Sequence, residues 1–476
     1  MQRALLIVLV AASYLLLAGA YNWALGPLLA IAALAVVAAP RRTLSSNRMW
    51  RVIDGALIAV CGALLIQLLP LPAALVNAVS PGAGRVRSAL QFAPLNATAS
   101  GWTTLSIDTD ATLAALATVV LGVLSFWISR SVFGSGGNTR HVCRALAIIG
   151  AAAAIMAVVQ RAVTPRLVLF VSSPEARSAF PFGAFINRNH MAGWLLLIAA
   201  PVGGYLIARL RTHPASRERE WRFALKRLLS SGATVTGLTL VIIVGVLLLT
   251  LSRSAVIGLG AAAVVLWLLG RSRLQLDRTQ APALLAAAGA ILVVTMFFID
   301  LDGWATRLQE SFDTGPADYN RIRIWQETLP IVRDFWLTGT GAGTYSDAMT
   351  QYQQSRIWVG SMQRWAHFNN AHSHYVQLVS EGGLLLVIPV LVGLVAFVRV
   401  AVRAARTDKG EMFWVRAGAV AGLAGLAVQS IWEVSLTMPA IVVLTGLLAG
   451  LAVYQREAAY GDSIDTPDAL HRRRRY

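Results

Sequence analysis

The densest chemistry of this chain lies in one stretch, Asn369 to Gly383, which reads NNAHSHYVQLVSEGG. His372 and His374 stand close together, and Glu381 follows two helical turns later. An imidazole changes charge near neutrality and so moves protons at physiological pH, while a nearby carboxylate can orient it. On a helix, His374, Gln377 and Glu381 share one face at i, i+3 and i+7, and His372 sits at the helix start. Either histidine is therefore a candidate base. The plainer reading is a histidine pair that satisfies helix-end carbonyls. Two histidines at i, i+2 with one distant glutamate make a poor zinc set, so no metal is expected.

Arginines in three other places would complement such a base. Arg253 lies in LTLSRSAVIG, with only Ser252, Arg253 and Ser254 between two apolar runs. A snorkelling arginine that caps a tight turn would look the same, but a charge at a membrane boundary that faces a helix bundle is more often functional. Arg188 lies in NRNHMAG, flanked by Asn187 and Asn189 with His190 following. These are donors suited to an anion or to sugar hydroxyls. Arg321 and Arg323 open a further segment. Arg323 has Glu327 at i+4, an ordinary surface pair, whereas Arg321 has Trp325 at that spacing and no acidic residue. Guanidinium groups hold phosphate oxygens in pairs and stay charged without a divalent ion. A base beside anion ligands makes an enzyme the leading reading.

What positions these residues is a set of apolar runs. The chain is 56% hydrophobic and 13% charged, with a mean hydropathy of +0.62. Ordinary soluble proteins are about 25% charged. Runs long enough to cross about 30 Å of hydrocarbon recur near 4–20, 23–40, 52–70, 111–129, 145–163, 191–208, 233–251, 255–270, 281–299, 383–399, 417–433 and 438–454. The expectation is an all-α integral membrane protein of about 12 transmembrane helices. The first run lacks a clear cleavage site and is read as a retained helix. With Met1 cytoplasmic, Arg41-Arg42, Arg209 to Arg227 and Arg472 to Arg475 all fall inside, which satisfies the positive-inside rule and puts both termini in the cytoplasm.

This topology yields a single polytopic domain over 1–454, with a cytoplasmic basic tail at 455–476. Outside lie Asn77 to Asp110, Thr164 to His190, and a large helical loop at about 300–381 between the ninth and tenth spans. In that loop Ile322, Trp325, Leu329, Val332 and Trp336 predict an amphipathic helix over 319–336, kinked or split by Pro330. Gly339, Gly341 and Gly343 then make a turn, and Tyr375 to Glu381 begins the tenth span.

Several other signals carry no function. The net charge of +18 is spread over membrane-flanking loops and gives no basic domain for nucleic acid. Cys61 and Cys143 form no disulfide framework. GTGAGT at Gly339 lacks the βαβ unit of a dinucleotide site. Asp300 and Asp302 read as a solvated flank. Trp304, Trp325, Trp336, Trp358 and Trp365 suit sugar stacking but are equally expected beside a bilayer.

The order of the pieces resembles the O-antigen ligase and polymerase superfamily of bacterial membrane glycosyltransferases. The matching pieces are LSRSA from Leu251, Arg321-xxx-Trp325, the Gly339–Gly343 turn, and AHSHYVQLVSEGG. Counting back from Glu381 puts the family histidine at His372, although helix geometry alone favours His374. Ser373 stands where the family usually has asparagine, and His374 is additional. The resemblance implies an inverting transferase, free of metal or cofactor, at the periplasmic face of a bacterial inner membrane. It would move a glycan from undecaprenyl pyrophosphate to an acceptor hydroxyl, on another glycan or on lipid A-core. In that scheme Arg188, Arg253 and Arg321 clamp the pyrophosphate, and His372 activates or orients the acceptor. Glu381 positions the histidine, and Asn187, His190, Trp325 and Arg323 are further substrate contacts. The NRNH segment resembles that of exopolysaccharide-cluster members, which favours a polymerase. A lipid-linked glycan flippase is the rival reading.

Overall fold

The structure, a computed structural model, describes residues 1–39, 48–90, 101–135, 138–171, 180–212, 232–273, 321–355, 358–359, 364–365, 367–408, 410 and 412–455. The membrane part comprises α1 (Gln2–Leu15), α2 (Leu25–Val37) and α3 (Arg48–Leu68). Two short helices follow, α4 (Ala73–Val79) and α5 (Pro81–Leu90), then α6 (Thr109–Gly134), α7 (Thr139–Val163) and α8 (Arg188–Thr212). Next come α9 (Gly232–Leu249), α10 (Arg253–Gly270), α11 (Arg321–Asp334) and α12 (Tyr345–Tyr352). The chain closes with α13 (His374–Thr407), α14 (Met412–Gln429) and α15 (Pro439–Val453).

Among the described residues, eight helices are long and apolar enough to cross a membrane. Three of the twelve expected runs form shorter apolar helices, at Gln2–Leu15, Asn22–Val37 and Pro439–Val453. The ninth run, 281–299, lies outside the described residues, as do Asp300, Asp302, Trp304, the start of the 300–381 loop and the tail from 456.

Helix α8 is the hub. In its apolar window 83% of residues are buried, against 22% for α13, most of whose surface lies outside the packed bundle. The packing of α14 on α8 depends on missing side chains. A Cβ at Gly418 would stand 2.5 Å from the Ala200 carbonyl, and one at Gly204 would strike the Trp414 carbonyl. Small residues let membrane helices approach backbone to backbone, where dispersion replaces the absent hydrophobic drive. These contacts also fix register. Gly193 lies against Gln429 while Gly204 lies against Trp414, so α8 and α14 run antiparallel. Gly258 meets Gly425 and Gly270 meets Trp414, which makes α10 antiparallel to α14 too.

Outside the bundle, α4, α5, α11 and α12 share a second core that includes Val76, Val86, Ile324, Ile331, Phe335 and Met349. The expected amphipathic helix exists, but a different face is buried. Ile324, Thr328, Ile331 and Phe335 point inward, whereas Ile322, Leu329 and Trp336 are exposed. Both stripes are apolar, and the buried one faces a core shared with α4, α5 and α12 and with Phe368 and Ala371. Nor does Pro330 split the helix, which runs unbroken to Asp334.

The tenth span is broken instead. Gly383 adopts φ 54°, ψ −163° within α13. The N–H groups of Leu384 and Leu385 donate to the Trp336 and Leu337 carbonyls, at 2.8 and 2.9 Å. The chain after α11 thus threads into the break and satisfies amides that lipid could not.

Candidate active site

The helix registers bring one end of the bundle together. The N-termini of α8, α10 and α13 meet the C-terminus of α14, and α11 starts beside them. Arg188 opens α8, and the pairing of Gly193 with Gln429 carries it to the level of the Ile431–Val434 segment. The antiparallel register of α10 likewise puts Arg253 at the level of Ser430, where its side chain is exposed. Arg253 follows a tight turn in which Leu251 takes φ 54°.

Glu433, a residue without a part in the sequence reading, sits at the centre. Its Oε1 accepts from Arg321 Nη2 at 3.0 Å and from Asn189 Nδ2 at 2.8 Å. Its side chain is 2% exposed, against 42% for Arg321. Burial raises the Glu433 pKa to about 7, opposed by Arg321, the Asn189 hydrogen bond and Arg188. Arg321 has no acid within its own helix face, yet it has one 112 positions away. A lone glutamate after an apolar span was the available signal.

His372 lies beside this group. It is half-buried, with φ 48°, a left-handed conformation that non-glycine residues rarely hold. Such conformations persist where the surroundings enforce them, often at functional sites. Here the Asn370 Oδ1 accepts from the His372 N–H at 3.0 Å. Trp325 Nε1 donates to the carbonyl of the preceding Ala371 at 2.8 Å. Desolvation, and then the Arg321 charge, push the imidazole pKa down to about 4. The ring is neutral at pH 7, so it accepts a hydrogen bond readily but is a weak base, not the near-neutral one the sequence led us to expect. His190 is within electrostatic reach of His372.

His374 begins α13 and donates its N–H to the Ser430 carbonyl at 2.9 Å. Its Nδ1 and the His190 Nε2 are buried without a hydrogen-bond partner among the described residues. Asn187 serves as a cap, since its Oδ1 accepts from the Asn189 N–H at 2.8 Å. Arg188 stacks over Phe180, 5.2 Å from the ring centre. Arg323 pairs with Glu327 at 3.4 Å, as the i+4 spacing predicts.

Glu381 stands apart from this cluster. It is buried, and its carboxylate accepts from the Tyr345 N–H at 3.1 Å, from Gln377 Nε2 at 3.0 Å and from the Gly343 backbone. It therefore holds the glycine turn and caps α12. A link toward His372 runs through Gln377, whose Oε1 accepts from the Ala371 N–H at 3.2 Å. Gln67 braces the same turn, donating to the Thr338 and Glu381 carbonyls at 2.8 and 2.9 Å. Gly339 needs its φ of 68° and its missing Cβ, which would overlap the Glu381 carbonyl. Among the described residues no three His, Cys, Asp or Glu side chains converge as a metal set would.

Residues 238–391 match the family model described as O-antigen ligase. The motifs and this match agree on the O-antigen ligase and polymerase superfamily. The matched segment runs from α9 into α13, so it holds Arg253, Arg321, His372 and Glu381, while Arg188 and Glu433 lie outside it. No curated protein matches the chain. The matched segment is similar to that family, and the helices around it are long and apolar enough to cross a membrane.

Proposed function

We propose that the chain is an inverting, metal-independent glycosyltransferase that moves a glycan from undecaprenyl pyrophosphate to an acceptor hydroxyl, in the manner of a polysaccharide polymerase. The site would face the periplasm of a bacterial inner membrane. The observation that carries this reading is the gathering of Arg188, Arg321 and His372 around Glu433 at one end of the bundle, beside a segment of O-antigen ligase type.

The acceptor oxygen attacks the anomeric carbon from the face opposite the leaving group, which inverts it. As the bond from that carbon to the phosphate oxygen breaks, its electron pair passes to the lipid pyrophosphate. Guanidinium groups aimed at that developing charge lower the barrier without a divalent ion. Arg188, Arg253 and Arg321 fill that role. His372, neutral and half-buried, accepts the hydrogen bond of the acceptor hydroxyl and orients it, and the proton that the hydroxyl loses on attack passes to the departing pyrophosphate. Glu381 supports the histidine indirectly, through Gln377 and the Ala371 backbone. Trp325 braces the same backbone.

A ligase acting on lipid A-core would share the donor chemistry and differ in its acceptor. The flippase reading gains one observation, the helix break at Gly383, because transporters bind substrates at broken helices. Here the freed amides are taken by the Trp336 and Leu337 carbonyls, which favours a structural break. The test is transfer from a carrier-linked glycan by purified protein. Arg253→Ala and His372→Ala are each expected to lower the rate at least about 100-fold. Full activity in both variants would sink the scheme.

A further inference from the structure

We propose that Glu433 occupies the anion seat of the unloaded arginine clamp and yields it to the donor pyrophosphate by taking up a proton. The inference rests on the donor chemistry proposed above. Arg321 Nη2 and Asn189 Nδ2 converge on one oxygen, Glu433 Oε1, from two chain segments. Two donors aimed at a single buried oxygen are what a phosphoryl oxygen requires, and here a carboxylate holds the position. Asn189 is fixed in turn by its Asx bond to Asn187 and by Gln429 Nε2, which donates to its carbonyl at 3.0 Å. The seat is therefore built, while Arg321 is half-exposed and able to turn outward.

An ionised Glu433 would repel an incoming pyrophosphate in a site of low dielectric. The neutral acid would not, and one proton from solvent makes the exchange. The charged and titratable groups on the surrounding elements are Arg188 and His190 of α8 and Arg321 of α11. To these are added His372 and His374 at the start of α13, and Arg253 at the same level on α10. His372 is half-buried and held neutral by desolvation and Arg321, and His190 Nε2 and His374 Nδ1 are buried atoms, which leaves the carboxylate as the group closest to its titration point at neutral pH.

The sign follows. Below about pH 7 Glu433 is already protonated, and donor affinity does not vary with pH. Above that value each donor must bring one proton, and affinity falls about tenfold per pH unit. After transfer, return of the proton restores the carboxylate and favours release of the lipid pyrophosphate.

The experiment uses the full chain in detergent and farnesyl-pyrophosphate-linked N-acetylglucosamine, whose phosphates do not titrate near neutrality. Calorimetry in two buffers of different ionisation enthalpy counts protons. At pH 8 the wild type is expected to take up about one proton per ligand, and His372→Ala to do the same. Glu433→Gln should take up none and bind about tenfold more tightly at that pH. Binding by wild type without proton uptake, or weaker binding by Glu433→Gln, would overturn the proposal alone. The wild-type proton count decides the matter even if the variant does not fold. No binding of the analogue at any pH would overturn the donor reading along with it.

Discussion

Glu381 and Glu433 are both buried carboxylates near the same face of the protein, yet they are held in different ways. Glu381 is bound by backbone N–H groups of the glycine turn and by the neutral amide of Gln377. Those donors belong to the main chain and a buried helix, and they cannot leave without dismantling the turn. Glu433 is bound by Asn189 and by an arginine that is half in solvent. That partner can be exchanged. A buried carboxylate is thus read by its partners: main-chain donors make it a fastener, and a half-exposed cation makes it a participant.

The comparison breaks most clearly on stability. Glu381→Ala orphans at least two buried donors, each worth about 1–3 kcal/mol. A loss of about 3 kcal/mol or more is expected, read as a large drop in melting temperature in detergent. If Glu381→Ala melts like wild type but loses activity, Glu381 belongs with the reacting groups after all.

A second, smaller effect concerns pH. Glu433 has a folded pKa of about 7, above the unfolded value of about 4.3. The native state then binds more protons than the unfolded one, and stability falls as pH rises from about 4.3 to 7. His372, held at about 4, works the opposite way and adds stability as pH rises toward 6.5. Thermal melts should show Glu433→Gln gaining on wild type across this window and His372→Ala losing its rising component. Parallel curves for all three proteins would remove the electrostatic contrast between the sites.

The smallest effect marks the control. Arg323 and Glu327 form a pair in which the arginine is 49% exposed. Exposed pairs contribute about 0–1 kcal/mol, so Arg323→Ala should alter neither melting temperature nor donor affinity measurably. A marked fall in donor affinity would extend the clamp to a fourth arginine.

Much of the candidate site was legible because apolar runs fix where polar residues can stand. Arg188, Arg253 and His372 each sit at the edge of such a run, and helix register gathers them at one end of the bundle. The Arg321–Trp325 spacing was informative for a reason the structure supplies: one residue pairs with Glu433 and the other braces Ala371. The pairing of Glu433 was hidden, because an ion pair spanning 112 positions leaves no local pattern. The buried face of α11 differs from the expected one because both of its stripes are apolar and residues distant in sequence, such as Val86, Tyr345 and Phe368, choose between them. The break at Gly383 was likewise invisible as a pattern, since the glycine pair reads as an ordinary part of an apolar helix.

That break has a mechanical side. The strand of chain after α11 is clasped between two halves of a membrane helix, with hydrogen bonds on both sides of Gly383. A clasp transmits displacement instead of absorbing it, so α11 cannot swing aside as a lid while the helix beneath stays still. Arg321 is consequently mounted on a rigid bracket, and only its side chain is left to move. The lipid-linked donor proposed above would then have to do the travelling.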